Sequence, residues 1–324
     1  MTTWLLRRAG AALAIVFTVL TLTFVAIHLA PGTPFLPRGD RPLDPVVEAR
    51  LRRQFGLDQP LPLQYVRYLE QLAHGNFGES FSQHRPVVDA LIDAVPNTLV
   101  LGAAALAIEF LLGLAIGVYQ AARAHRRADA ALTYVTLFLY SLPIFWLGLV
   151  LLLLFGEWLH WLPVGGVVDP LHDLLPLGTR VLDRVRHLAL PAFTLGLVGA
   201  AGTARFQRGA MLEALGQDFI RTARAKGLAE RAVLLRHALR NALLPYVTLL
   251  GLALPFLLTG AVLVETVFAW PGLGKLAADA IASRDYPIVT ATTLVASIVV
   301  VGGSVVADLL YAAADPRVRL ESRE

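Results

Sequence analysis

The chain has 324 residues, of which 56% are hydrophobic and only 16% charged, with a formal net charge of +4. Soluble domains carry about 25% charged residues, so this sequence lacks the polar side chains to cover a water-facing surface and reads as an all-α polytopic membrane protein. It has no cysteine, which excludes a disulfide framework and a thiolate metal centre; its basic residues lie between apolar runs, which argues against a nucleic-acid partner.

Six runs approach the roughly 20 apolar residues that a bilayer requires: Ala9–Ala30, Asn97–Gln120, Ala130–Phe155, Leu188–Ala204, Ala242–Ala269 and Pro287–Ala313. Arg7 and Arg8 precede the first. Its apolar run is longer than a signal-peptide core and closes on no Ala-x-Ala site, so it is expected to remain as an anchor. In the following segment, Asp44 and Pro45 read as the N-cap and first turn of a short helix, with Val47, Leu51 and Phe55 at helical spacing and Gly56 as its stop. Leu63, Val66, Leu69 and Leu72 then share one face of a second helix that Gly75 ends. These two amphipathic helices form a small cap outside the membrane. Simple packing on the span ends and a part in gating or partner contact both fit it.

The fourth run is short and rich in Gly and Ala, a composition that suits close packing against a neighbouring helix. Between the fourth and fifth lies "RTARAKGLAERAVLLRHALRNALLP" (Arg221–Pro245), strongly basic with Glu230 as its one acid. Asp218 is expected to cap a helix over Phe219–Lys226, which Gly227 ends in a left-handed turn. A second helix, about Glu230–Leu244, leads into the fifth span. Ile220 and Ala223 form a small apolar face with Lys226 or Gly227 along the same side, while Arg221 and Arg224 flank it. This helix–glycine–helix knuckle suits docking into a cleft of another protein; a positive loop on anionic lipid headgroups is the competing reading.

With the N-terminus inside, the inner segments 1–8, 121–129, 205–241 and 314–324 hold 16 of the 28 Lys and Arg, and the two short outer segments hold 5. The positive-inside rule therefore places both termini and the knuckle in the cytoplasm.

Enzyme signatures fail on context. Gly272–Ala277 matches a dinucleotide fingerprint but follows a membrane run, and reads as a turn between spans five and six. Gly78–Ser82 ("GESFS") lacks the closing glycine of a nucleophile elbow. The eight histidines show no metal-ligand spacing. Three acids fall within spans, Glu109, Glu265 and Asp308; interhelical hydrogen bonds and a proton relay both account for them. Pro143, Pro191, Pro245 and Pro255 lie in or beside spans, where each removes a backbone donor and offers a bend.

The knuckle resembles the cytoplasmic coupling loop of ABC importer permeases of the dipeptide, oligopeptide and nickel group, specifically the B-type subunit. "APGTP" (Ala30–Pro34), "FGLDQPLPLQYVRYL" (Phe55–Leu69), "GNFGESF" (Gly75–Phe81), "SLPIFWLGL" (Ser141–Leu149), "ETVFAWPGLG" (Glu265–Gly274), "SRDYPIV" (Ser283–Val289) and "DLLYAAADPRVR" (Asp308–Arg319) fit that pattern in order. Departures exist: Arg221 and Thr222 stand where the wider loop pattern has Glu and Ala, and His237, Leu239 and Arg240 where it has Ile, Leu and Pro.

The resemblance implies a type I importer permease fold in the inner membrane. Residues 1–94 would hold the first span and the outer helical segment, 95–313 five further helices with the coupling loop at about 205–241, and 314–324 a cytoplasmic tail. It implies docking of Asp218, Phe219, Ile220, Arg221, Thr222, Ala223, Arg224, Ala225, Lys226 and Gly227 on an ATPase. Expected partners are a second homologous permease, two cytoplasmic ATPase subunits and an extracytoplasmic binding protein, with membrane lipid around the spans. ATP and magnesium would sit on the partner subunits and no cofactor on this chain, which would itself be no enzyme. Substrates implied are peptides, with nickel chelates or glutathione-like solutes as alternatives; a stand-alone proton-coupled carrier using Glu109 and Glu265 is the rival class.

Overall fold

The computed structural model describes residues 2–30, 45–54, 56–253 and 262–314. Helices follow one another as α1 (Thr2–Leu29), α2 (Pro45–Gln54), α3 (Leu61–Ala73), α4 (Val87–Ala122), α5 (Arg127–Ser141), α6 (Ile144–Leu151), α7 (Leu177–Leu215), α8 (Asp218–Ala225), α9 (Glu230–Ala232), α10 (Leu239–Ala253), α11 (Val262–Val267), α12 (Leu273–Ser283) and α13 (Tyr286–Ala314). Two π-helical stretches, Leu152–Trp158 and Val233–Ala238, continue α6 and α9. Among the described residues there is no strand beyond an isolated bridge between Glu79 and Pro86.

Four helices are long and apolar enough to cross a membrane, namely Arg8–Leu29 of α1, α4, α7 and Tyr286–Asp308 of α13. A fifth candidate is broken. α5 and Ile144–Trp158 meet at 104°, so the expected straight span Ala130–Phe155 bends where Leu142 and Pro143 adopt extended backbone. The expected span Ala242–Ala269 is met by α10 and α11; Pro255 between them lies outside the described residues, as does the proposed cap Asp44. The short fourth run is part of a 39-residue helix, α7, about 58 Å long at 1.5 Å per residue. Gly272–Ala277 is no turn: Gly272 is the N-cap of α12 and Leu273 its first residue.

The chain divides into two compact units, residues 1–96 with 271–299, and 97–270 with 300–324. In the first, α3 docks on α1 through aromatic rings. Phe24 packs 5.1 Å from Tyr65 and 5.5 Å from Tyr68 between ring centroids, and the Thr21 and Tyr65 hydroxyls are 2.6 Å apart. The covered edge of α3 therefore runs through Tyr65, Tyr68, Leu69 and Leu72, whereas Leu63 and Val66 of the expected face are 43% and 59% exposed. Aliphatic periodicity misplaced the face by one position because the tyrosines, with hydroxyls that reach partners, carry the contact. Fully buried Asp285 organises the turn into α13, accepting from Ser80 Oγ (2.5 Å), Ser82 N (2.9 Å) and Ser82 Oγ (2.7 Å). That is what the serines of "GESFS" do.

In the second unit, α4 and α7 lie side by side and run the same way: Ile108 meets Gly196, Glu109 meets Gly199, and Gly117 meets Ala204 and Gln207. A Cβ on Gly117 would stand 2.7 Å from the Ala204 carbonyl oxygen, a backbone atom that cannot swing aside. Small residues let the two helices close to backbone contact, the packing on which association within lipid depends. Trp270 seals the far end of the seam, donating Nε1–H to the Asn97 carbonyl at 3.1 Å.

Two losses follow. Gly117→Leu separates α4 from α7 and lowers the yield of folded protein in detergent, while the same change at Gly10, where nothing stands within 4 Å, leaves it unaltered. Asp285→Ala strands the buried Ser80 hydroxyl and costs about 1–3 kcal/mol, read as a fall in unfolding temperature.

Candidate functional site

The knuckle follows directly on α7. Gly216 is the C-cap of α7, Gln217 takes extended backbone as the N-cap of α8, and Asp218 is the first helical residue. Asp218 is therefore not the cap expected from the sequence. Gln217 makes no side-chain cap bond, and the Asp218 carboxylate instead pairs with Arg221 at 3.2 Å on the open surface, while still placing a negative charge at the positive end of the helix dipole.

The other end is as expected. Gly227 has φ of +76°; its N–H donates to the Arg224 carbonyl at 2.9 Å and that of Leu228 to the Ala223 carbonyl at 3.3 Å. This paired closure satisfies the last carbonyls of α8 and demands a left-handed residue. Across it, Arg224 grips Glu230 with two bonds, Nη2 to Oε1 at 2.6 Å and Nε to Oε2 at 3.2 Å. Glycine and ion pair together fix the angle between the arms. The fork was missed in the sequence because six residues across a glycine is not a spacing at which side chains on one helix meet.

Burial corrects the expected docking face. Ile220 is fully buried and Ala223 is 5% exposed, both within a cluster made with Ala121 of α4, Met211 and Ala214 of α7, Val233 and Ala238 of the π-helical stretch, and Ala242 of α10. The small apolar face is thus committed to this chain's own helices. What faces outward is Phe219 (41% exposed) and Leu228 (42% exposed), with Arg221, Thr222, Ala225 and Lys226 also exposed. Phe219, Thr222 and Lys226 fall at i, i+3 and i+7, one side of the short helix.

The knuckle is thus rooted in α4, α7 and α10 and offers an aromatic and basic side outward. Comparison with known proteins gives the family of the chain. The family model described as binding-protein-dependent transport system inner membrane component matches residues 113–320, and the N-terminal model of the same membrane components matches residues 1–102. The chain belongs to this family. It is 43% identical to the di/tripeptide transport system permease protein DppB of Pseudomonas aeruginosa, covering 98% of this chain and 99% of that one. It is 37% identical to the oligopeptide transport system permease protein AppB of Bacillus subtilis, with 98% and 99% covered, and 42% identical to the probable D,D-dipeptide transport system permease protein DdpB of Escherichia coli, with 98% of each covered. A solved structure of the MetNI methionine ABC transporter in inward-facing conformations shares the fold, with a TM-score of 0.55 at 19% identity over 70% of this chain and 97% of that chain. This permease is accordingly a multi-pass protein of the inner membrane.

The permease's intramembrane acids are placed differently from one another. Glu265 is fully buried and accepts a hydrogen bond from Thr98 Oγ1 at 2.8 Å. Glu109 is half-buried, its carboxylate against Gly199, one turn before Thr203, whose hydroxyl bonds the Gly199 carbonyl at 3.0 Å. Asp308 is partly exposed on α13, and the three acids form no cluster among the described residues. Pro191 is buried inside continuous α7 and Pro245 lies within α10, seven residues past the end of the π-helical stretch. Among the three of these four prolines that lie within the described residues, Pro143 alone coincides with a break. The sequence also hid the ion pair Arg208–Asp129, bidentate at 2.7 and 2.8 Å, because the fourth apolar run ends at Ala204 and α7 does not.

Side-chain truncation separates the two faces of α8. Ile220→Ala opens a cavity at the root of the knuckle and costs about 2–5 kcal/mol, lowering the unfolding temperature, whereas Phe219→Ala leaves it unchanged. The Arg224 guanidinium holds the Glu230 carboxyl below the usual range and is itself raised by it, partial burial opposing both. The pair's contribution is therefore complete above the unfolded glutamate value near 4.3 and is lost as pH falls through the lower folded value. In this exposed setting it is worth about 1 kcal/mol at most. A nitroxide at position 229 gains mobility in Glu230→Gln at neutral pH, matching what the unsubstituted chain shows only in acid.

Proposed function

We propose that this chain forms half of the translocation path of an ATP-driven importer for short peptides. In this reading six helices cross the inner membrane with both termini in the cytoplasm, and the segment carrying α2 and α3 lies outside. A second homologous permease supplies the other half of the path. Two cytoplasmic ATPase subunits, which hold ATP and magnesium, grip the two knuckles, and an extracytoplasmic binding protein delivers the solute. The peptide assignment rests on the relatives, three of which are named as di- or oligopeptide permeases at 37–43% identity over nearly the whole chain.

One observation carries the mechanical part: the burial of Ile220 and Ala223 among α4, α7 and α10. A pull on α8 is then felt by α4, α7 and α10 at once, and a bundle with two stable packings is switched by an external bias. Asp218, Phe219, Arg221, Thr222, Arg224, Ala225 and Lys226 supply the docking surface, Ile220 and Ala223 the root, and Gly227 the angle. Pro143, at the 104° break after α5, supplies a bend. The carrier reading gains nothing here, since Glu265 is already hydrogen-bonded in a closed site and Glu109 is packed against a helix backbone.

Gly227→Val forces a β-branched residue into a left-handed backbone, a strain of about 1–3 kcal/mol, although there is open space for the side chain. In the reconstituted complex the expected result is uptake reduced at least tenfold with ATP hydrolysis retained, and Gly227→Asn close to wild type. Full uptake by the valine variant contradicts the coupling role; uptake by the permease alone, abolished by a protonophore, replaces it with the carrier.

A further inference from the structure

Arg205 is exposed on α7, its guanidinium carbon 5.8 Å from the centre of the Tyr140 ring. Gly202, one turn earlier, lets that ring lie close: a Cβ there would be 3.3 Å from Tyr140 Cε2. One turn later, Arg208 is held by both oxygens of Asp129. Among the described residues Arg205 has no carboxylate partner. It directly follows the apolar run of α7, and Tyr140 stands eleven residues into α5 from Asp129, about 16 Å along the helix.

The surroundings say which way this cation looks. α5 is scarcely covered by its own chain, with only Asp129 and Thr136 buried and Tyr134, Phe138 and Tyr140 at 73%, 60% and 55% exposure. Such a helix faces either hydrocarbon or a space shared with another subunit. A guanidinium turned to mid-bilayer hydrocarbon costs about 2.5–3.5 kcal/mol or more, whereas exposed apolar side chains such as Leu13, Phe17 and Leu22 of α1 suit lipid. The uncovered side that carries Arg205 and Tyr140 therefore suits water better than hydrocarbon.

We infer that Arg205, seated on Tyr140, lines the translocation path and receives the carboxylate of the passing substrate. The guanidinium fork matches a carboxylate with two parallel hydrogen bonds. The aromatic face beneath removes water from one side of the cation and keeps its donors turned outward. An unpaired cation of this kind attracts the anionic end of a peptide and releases it readily, because no second fixed charge closes the site. The choice of a peptide carboxylate rests on the peptide reading above; the placement of Arg205 on the path does not.

The test uses the complete transporter in proteoliposomes, with binding protein outside and labelled dipeptide as the probe. Wild-type uptake tests the peptide reading; the ratio of variant to wild type tests Arg205. Arg205→Gln is expected to lower uptake of the free-carboxylate dipeptide about tenfold or more, with basal ATP hydrolysis unchanged, and Arg205→Lys to restore most of it. Because the chain lacks cysteine, Arg205→Cys offers a second readout. Aminoethyl methanethiosulfonate, which returns a positive charge, rescues uptake, and the sulfonatoethyl reagent does not; added dipeptide slows both reactions. Equal uptake by Arg205→Gln overturns the inference. So does a loss that both reagents rescue alike, or a wild-type dependence on anionic lipid that vanishes in the variant, which would give the guanidinium to a headgroup phosphate.

Discussion

The structure depends on one burial event at the edge of the membrane: the side chains of Ile220 and Ala223 enter a pocket walled by alanines of α4, α7 and α10 and by Met211 and Val233. Full burial of an isoleucine is worth about 1.5–3 kcal/mol, a large share for a helix of only eight residues. Without it α8 would be too short to hold its own shape in water. With it the outward residues of α8 sit at fixed positions, and any displacement of the knuckle is transmitted to its long neighbours. The alanines matter as much as the isoleucine, since larger side chains on α4 or α10 would hold the short helix away from its root.

The same economy of side-chain volume runs along the seam between α4 and α7. Glycines at 113, 117, 196 and 199 bring the two backbones into contact, so the helix with the weakest apolar signal is among the best covered, with 56% of its apolar window buried. Hydropathy measures affinity for hydrocarbon. It says little about a helix that packs on protein, where smallness is selected. α5 is the opposite case, aromatic, uncovered by its own chain and followed by the break at Pro143. Charge follows this division. Asp129 and Glu265 are matched within the chain, by the Arg208 guanidinium and the Thr98 hydroxyl, while Arg205 on the uncovered side has no carboxylate partner among the described residues.

Much of this was legible in the sequence, for identifiable reasons. Gly56, Gly75 and Gly227 mark helix stops because a left-handed closure admits few other residues, and all three have positive φ. The apolar runs located the long helices, and the ordered family motifs located the knuckle. What escaped depends on direction and distance. Periodicity gave the amphipathic side of α8 correctly but not whether that side turns inward or outward, since a small apolar face serves either purpose. On α3 the aromatic edge prevailed over the aliphatic one. Asp218 looked like a cap because its type is common there, yet Gln217 holds the position and the carboxylate acts one residue later. The Asp285–Ser80 contact spans 205 residues, a separation for which one sequence carries no signal.

The central claim is that knuckle and bundle move as one body. Spin labels at positions 221 and 123, on the exposed side of α8 and at the end of α4, measure it in the assembled complex by pulsed dipolar spectroscopy, the cysteine-free chain allowing both sites to be labelled alone. The account predicts one narrow distance that stays the same when ATP is bound, while the distance between position 221 and the facing knuckle of the second permease shortens. A distribution between 221 and 123 that shifts or broadens on ATP binding would show α8 swinging free of its root, and would contradict it.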